Sequence, residues 1–172
     1  PTLYNRLDVI ADISRTMLDQ MNDIVWSVNP DNDSLQNMVL RMEDTAVKLF
    51  DAAGIEYRIS LPPYVHDNKL PMEVRRNIFL VFKELVNNVI KHAHCAGADI
   101  DISFDSSSQT GTLTIVVSDD GKGFEPAHKY PGNGLKNMQT RAQSIGGRMS
   151  ISSAENGGTR STLVVPLSGE ES

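Results

Sequence analysis

Four segments in the C-terminal half of the chain alternate apolar and polar residues: Ile100-Ile102-Phe104, Leu113-Ile115-Val117, Met149-Ile151 and Leu163-Val165-Leu167. Strict alternation is the pattern of a strand with one buried and one solvated face. A fifth short strand, Ile55-Tyr57-Ile59, comes earlier and is closed by Leu61-Pro62-Pro63. The other segments carry helical stripes. Leu35, Met38, Val39, Met42, Ala46, Leu49, Phe50 and Ala53 trace one face that ends at Gly54, with Asp33 and Gln36 at capping-box spacing in front of it. A third helix opens at Pro71 and buries Val74, Ile78, Phe82, Leu85 and Val89 up to about His92. A shorter helix runs to about Ile145 behind a Gly-rich loop from Asp119 to Gly134, and a loop of roughly 15 residues in a compact domain is usually functional or mobile. This order predicts an α+β fold. It is a two-layer sandwich, a mixed sheet of about five strands with helices on one face and solvent on the other.

The first thirty residues do not fit inside that sandwich. Leu3, Leu7, Ile10, Met17, Met21, Ile24 and Val28 alternate spacings of four and three, with Ser14 in the one gap. That is a heptad seam, and Ala11, Leu18 and Val25 widen it. One helix cannot bury such a stripe alone, and the later segments hold enough apolar surface to close their own core. The stripe is therefore expected to pair with another chain, the alternative being a core helix folded back on this domain. The pre-proline position Asn29 should end the helix. The expected division is residues 1–30 as a helix that pairs with another chain and residues 31–172 as a single domain.

Charge and composition narrow the function. Sixteen Lys and Arg against 22 Asp and Glu leave a net charge of −6 in 172 residues, which argues against binding nucleic acid through phosphate contacts. The single cysteine, Cys95, permits no internal disulfide and suits a reducing compartment, with cytoplasm the default. No apolar run approaches the roughly 20 residues of a membrane span. Helical periodicity begins almost at Pro1, as in a piece of a longer protein.

Four short motifs carry the chemistry. On the third helix Glu84, Asn88, Lys91 and His92 project from one arc beside the apolar face. A solvated flank would explain Glu and Lys there, but the pair Asn87-Asn88 is a poor choice for a helix interior unless an amide oxygen has a ligand such as a metal. After the second alternating strand comes Asp119-Asp120-Gly121-Lys122-Gly123, where a strand-end carboxylate can accept from an amine and the glycines admit a planar ligand. The bland alternative is a tight acidic turn. Gly132-Asn133-Gly134-Leu135 opens a helix whose first N–H groups suit phosphate, or it is a hinge. Asn156-Gly157-Gly158-Thr159 reads as a hairpin turn whose threonine could reach a ligand. A P-loop and the Gly-x-Gly-x-x-Gly fingerprint are both missing, and His92, His94 and Cys95 diverge on a helix and lack a second ligand pair for zinc.

In this order, from about Leu70 to Leu167, the motifs resemble the ATP-binding catalytic domain of sensor histidine kinases, in the superfamily shared with gyrase, Hsp90 and MutL. The resemblance implies a Bergerat-type fold that binds ATP and Mg²⁺. It implies that Asn88 coordinates the metal, that Glu84 assists phosphoryl transfer, and that Lys91 and His92 approach the phosphates. Asp119 would read the adenine amine, Gly121 and Gly123 shape the pocket, Gly132, Gly134 and Leu135 belong to the lid, and Thr159 line the adenine side. Ile24-Val25-Trp26-Ser27-Val28-Asn29-Pro30 is similar to the end of the second dimerisation helix in the nitrate- and lipid-sensor subclass. That implies a homodimer, a response-regulator receiver domain as partner, and a cytoplasmic position in a membrane-anchored sensor. The acceptor-histidine motif of that subclass is not in this sequence, so the acceptor is expected upstream. The alternatives are a degenerate docking module with the same fold, and a serine kinase or ATPase of the same superfamily.

Overall fold

A computed structural model describes residues 11, 13–14, 17–18, 21–26, 28–63, 69–106, 111–123, 134–153 and 157–167. The chain divides into two compact units, Pro1–Asn32 and Asp33–Ser172. In the first, the described residues between 11 and 28 are helical and form α1, followed by a 3-10 turn at Pro30–Asn32. The helix stops at the pre-proline residue, where the Asn29 side chain accepts the Asp31 N–H at 3.0 Å and Asn32 Nδ2 donates to the Trp26 carbonyl at 3.1 Å. Most of its described apolar residues stand open, Met21 at 61% and Val25 at 63% exposure, while Ala11 and Trp26 are half-buried. No helix among the described residues is long and apolar enough to cross a membrane.

The second unit is a five-stranded mixed sheet in the order β1-β2-β3-β5-β4. The strands are β1 (Glu56–Ser60), β2 (Gly97–Asp105), β3 (Thr112–Asp119), β4 (Arg148–Ser153) and β5 (Thr159–Pro166). Only β1 and β2 run parallel. Helices α2 (Leu35–Ala53), α3 (Met72–Asn88) and α4 (Gly134–Ser144) cover one face. Alternation puts Ile100, Ile102, Leu113, Ile115, Val117, Leu163 and Val165 in the core beneath them. The opposite face is polar and solvated as expected, with one correction: Val116 points there and is nevertheless buried.

Gly54 ends α2 in the left-handed conformation at φ +66°, as the Gly position predicts. The start differs. Ser34 caps α2 by accepting the Asn37 N–H at 3.1 Å, so the Asp33–Gln36 spacing is not a capping box. Asp33 is used elsewhere: its carbonyl accepts the Leu70 N–H at 2.8 Å and its carboxylate pairs with Arg75 of α3. The Arg75 side chain is 1% exposed and that of Asp33 35%, so the pair locks the entry of the domain to α3. Removing one partner of a buried pair leaves the other charge stranded and costs roughly 3–5 kcal/mol. Because Asp33 keeps some access to water, Asp33→Ala is expected at the low end of that range; a urea midpoint within error of the unmodified chain would contradict it.

Helix α3 is central, lying between α2 and α4 and over β3, which is why Phe79, Val81 and Val86 are buried in addition to the predicted stripe. Pro71 stands as its N-cap with Met72 as the first helical residue, one position later than expected. The α-helical bonding stops at Asn88, and Val89–Ala93 continue as a π-helical turn up to His94 at φ 51°. The expected α-helix to His92 is thus corrected over its last turn, a region where another backbone segment packs directly on the Ala93 carbonyl.

Candidate functional site

The end of β3 and the start of β5 meet as a cross-strand pair, Asp119 opposite Thr159. The Asp119 carboxyl accepts the Gly121 N–H at 2.9 Å and the Thr159 N–H. Burial pushes its pKa above the ordinary carboxylate value; the two N–H groups pull it down and the neighbouring Asp120 pushes it up. Asp120 faces elsewhere and binds the N–H groups of Ala96 and Gly97, both at 2.9 Å. It fastens this turn to the start of β2.

Two glycines make this geometry possible. A Cβ on Gly121 would lie 2.2 Å from the Ala93 carbonyl oxygen, and Lys122 N–H donates to that same oxygen at 2.9 Å. Gly158, at φ +70°, donates to the Gly121 carbonyl at 3.0 Å, and a Cβ there would stand 2.0 Å from the Asp119 carbonyl oxygen. The π-turn, the Asp119 turn and the β4–β5 connection therefore stack backbone on backbone.

Between α3 and the sheet lies a pocket that opens to solvent. Leu85, Asn88, Val89 and His92 line it from the helix side, and Val117, Asp119, Ile151, Thr159 and Ser161 from the sheet, with Gly123 and Leu135 at its border. Apolar walls from Leu85, Val89, Val117 and Ile151 together with the Asp119 carboxylate suit a flat, amine-bearing ring.

Of the predicted site residues, Asn88, His92, Asp119, Gly123, Leu135 and Thr159 share this pocket. Glu84 is one helical turn before Asn88 and lines a neighbouring crevice with Gly134, Asn137 and Arg141. The bare Cα of Gly134 lets the start of α4 approach it, since a Cβ would come within 3.0 Å of Glu84 Oε1. Gly121 lies behind the pocket wall. Lys91 is exposed and does not line the pocket; His92, four residues after Asn88 in the widened turn, does. Gly132 lies outside the described residues. Sequence reasoning missed Leu85, Val89, Ala93, Val117, Ile151 and Ser161 as pocket residues, although Leu85, Val89, Val117 and Ile151 lie on the predicted apolar stripes. The missing signal was adjacency: Leu85 and Val89, three residues before and one after Asn88, belong to the buried stripe that borders it.

No group of three or more His, Cys, Asp or Glu able to hold a metal occurs among the described residues. With Asn88 and Glu84 as its protein ligands, a metal here would take the others from phosphate and water. The amide oxygen of Asn88 with the Glu84 carboxylate one turn away is a hard-oxygen set, and it fits Mg²⁺, which keeps several waters and few protein ligands.

Residues 73–169 match the family described as histidine kinase-, DNA gyrase B- and HSP90-like ATPase. The sensor protein VraS of Staphylococcus epidermidis is 30% identical over 108 residues, covering 62% of this chain and 30% of that protein. VraS of Staphylococcus aureus is 29% identical over 109 residues, covering 63% and 30%. The chain thus spans under a third of the length of these curated relatives. Among solved structures, the histidine kinase domain of a blue-light activated histidine kinase from Erythrobacter litoralis superposes with a TM-score of 0.61 at 20% identity, covering 76% of this chain and 61% of that one. The Acinetobacter baumannii histidine kinase AdeS gives a TM-score of 0.63 at 14% identity, covering 97% and 86%. At these identities the structures establish the shared fold.

Proposed function

Because the chain belongs to the histidine kinase-, DNA gyrase B- and HSP90-like ATPase family, we propose that its pocket binds Mg·ATP and presents the γ-phosphoryl group to a histidine on a dimerisation helix. The observation that carries this is the convergence of Asn88, Asp119 and Thr159, from three separate segments, on one apolar slot.

In this reading the adenine ring lies between the apolar side chains of α3 and the sheet, and its exocyclic amine donates to the Asp119 carboxylate. The Asp119 oxygens are already oriented by the Gly121 and Thr159 N–H groups, so little rearrangement is needed on binding. Asn88 and Glu84 would hold Mg²⁺, which when bound neutralises charge on the phosphate oxygens. His92, at the pocket, contacts the phosphate side; Gly134 and Leu135, at the start of α4, close over it. Glu84 orients the acceptor imidazole for in-line attack, and phosphoryl transfer of this kind depends mainly on positioning. Residues 1–30 contain no histidine, so the acceptor is assigned to a helix preceding this sequence, and a receiver-domain aspartate takes the phosphoryl group next. The open stripe of α1 supports a homodimer, and the cytoplasmic side of a membrane-anchored sensor is the matching location.

Calorimetric titration of ATP with and without Mg²⁺, and of GTP as control, tests the reading. Saturable, Mg-dependent binding that prefers adenine is expected; a folded chain that binds neither nucleotide would favour a docking module instead. Asn88→Ala should reduce Mg-dependent affinity by at least the roughly 10–100-fold that loss of a supporting residue costs a metal site. Its Mg-independent binding and its melting curve should be unchanged, because Asn88 is off the buried stripe.

A further inference from the structure

Register lays out the inward face of the sheet near the pocket in rows. The outer row, Asp119, Thr159 and Ser153, is wholly polar and internally bonded: Thr159 N–H donates to Asp119, and Ser153 Oγ lies 3.3 Å from Thr159 Oγ1 and donates to the Gly158 carbonyl at 2.8 Å. Two residues further along the strands, the row Ile115, Leu163 and Met149 is wholly apolar. Between them stands Val117, Ser161 and Ile151. Ser161 is 8% exposed, lines the pocket, and is the one buried serine or threonine among the described residues. Its hydroxyl forms no hydrogen bond among them. A hydroxyl flanked by Val117 and Ile151 gains nothing from packing that Ala or Val would not supply, and one that opens into the pocket can bond whatever occupies it.

We propose that Ser161 is a base-reading residue whose hydroxyl donates a hydrogen bond to a ring nitrogen of the bound purine, directly or through one water. The inference rests on the nucleotide reading of the pocket and extends it to a second polar contact. Asp119 accepts and, as a carboxylate, cannot donate; the ring nitrogens of adenine are acceptors and need a donor such as a hydroxyl. Ser161 is the diagonal neighbour of Asp119 across β3 and β5, a spacing of about 7–8 Å between Cα atoms. One flat ring can meet both side chains over that distance. Val117 and Ile151 flank the hydroxyl across the strands on either side.

The test is titration of ATP, and of analogues carrying CH in place of N1 or N7, into the 172-residue chain and into Ser161→Ala and Ser161→Cys, with a melting curve for each protein. Ser161→Cys keeps the size of the side chain while weakening the donor, and it covers the case in which Ser161→Ala fails to fold. The expected result is a loss of about 3–10-fold in ATP affinity with melting curves unchanged. One of the two analogues should bind weakly to the unmodified chain and no more weakly to the variants. Equal ATP affinity in variants and unmodified chain, or a loss of the same size for ATP and both analogues, would overturn the assignment. If the unmodified chain binds no ATP, the nucleotide reading itself fails and this assignment falls with it.

Discussion

Asp119→Asn is expected to weaken ATP binding by about 10–150-fold, the 1.5–3 kcal/mol of a hydrogen bond to a charged group, and to erase the preference for ATP over GTP. The Asn carbonyl would be drawn to the Gly121 N–H that Asp119 now accepts at 2.9 Å. Its NH₂ would then face the adenine amine, donor against donor. The same substitution should leave the empty protein as stable or more stable. Burial raises the Asp119 pKa above its unfolded value; a carboxyl shifted upward binds protons better in the folded state, so its charge costs stability once pH rises through the unfolded and then the folded pKa. Binding has the opposite sign. ATP needs the ionised acceptor, so affinity should fall on acidification, starting at a higher pH than for an ordinary carboxylate. Titration of the ATP phosphates is common to both proteins, and only the unmodified chain should show the additional Asp119-dependent fall. Retention of full ATP affinity by Asp119→Asn would remove Asp119 from the site.

Gly158→Ala should destabilise the fold by about 2–5 kcal/mol, from roughly 1–2 kcal/mol for a left-handed residue with a Cβ plus 1–3 kcal/mol for overpacking. The added carbon would stand 2.0 Å from the Asp119 carbonyl oxygen, which is backbone and cannot rotate away. For a chain of this length that is a fall in melting temperature of about 4–20 °C. Nucleotide affinity should be lost too, because displacing this carbonyl moves the Asp119 carboxyl. Gly54→Ala supplies the control: it has nearly the same φ, +66°, but nothing within 4 Å of its Cβ. It bears only the conformational cost. Equal melting points for the two variants would show that the contact at Asp119 relaxes without penalty.

The elements legible in the sequence share one property: their signal is local. Alternation placed the inward residues of β2, β3 and β5, and the stripe ending at Gly54 placed α2 to its last residue. The pre-proline restriction at Asn29 ended α1. The errors have a common cause as well. Asp33 sits at the spacing of a cap, yet it binds Arg75, which is 42 positions away, while Ser34 caps. A capping box and a buried ion pair use the same carboxylate, and only the approach of α3 decides between them. Likewise α3 was read to His92 as a regular helix, whereas Gly121 and Lys122 meet the Ala93 carbonyl and the last turn is π-helical.

The candidate site divides in the same way. Residue types and order picked out Asn88, Asp119 and Thr159, since amide, carboxylate and hydroxyl beside glycines are unusual within core-forming segments. Sequence spacing could not show that Lys91 stays outside the pocket while His92 enters it, because that depends on the i→i+5 widening after Asn88. Nor could it single out Ser161, which reads as one polar position in an alternating strand until β-pairing sets it between Val117 and Ile151. By itself the sequence determined the strands, the helices, the open heptad stripe and the residues with chemistry to offer, because period and residue type act over a few neighbours. Tertiary structure decided which of those residues face one another, because the pocket is made by segments far apart in the chain whose register, burial and close backbone contacts exist only once the sheet and α3 have packed.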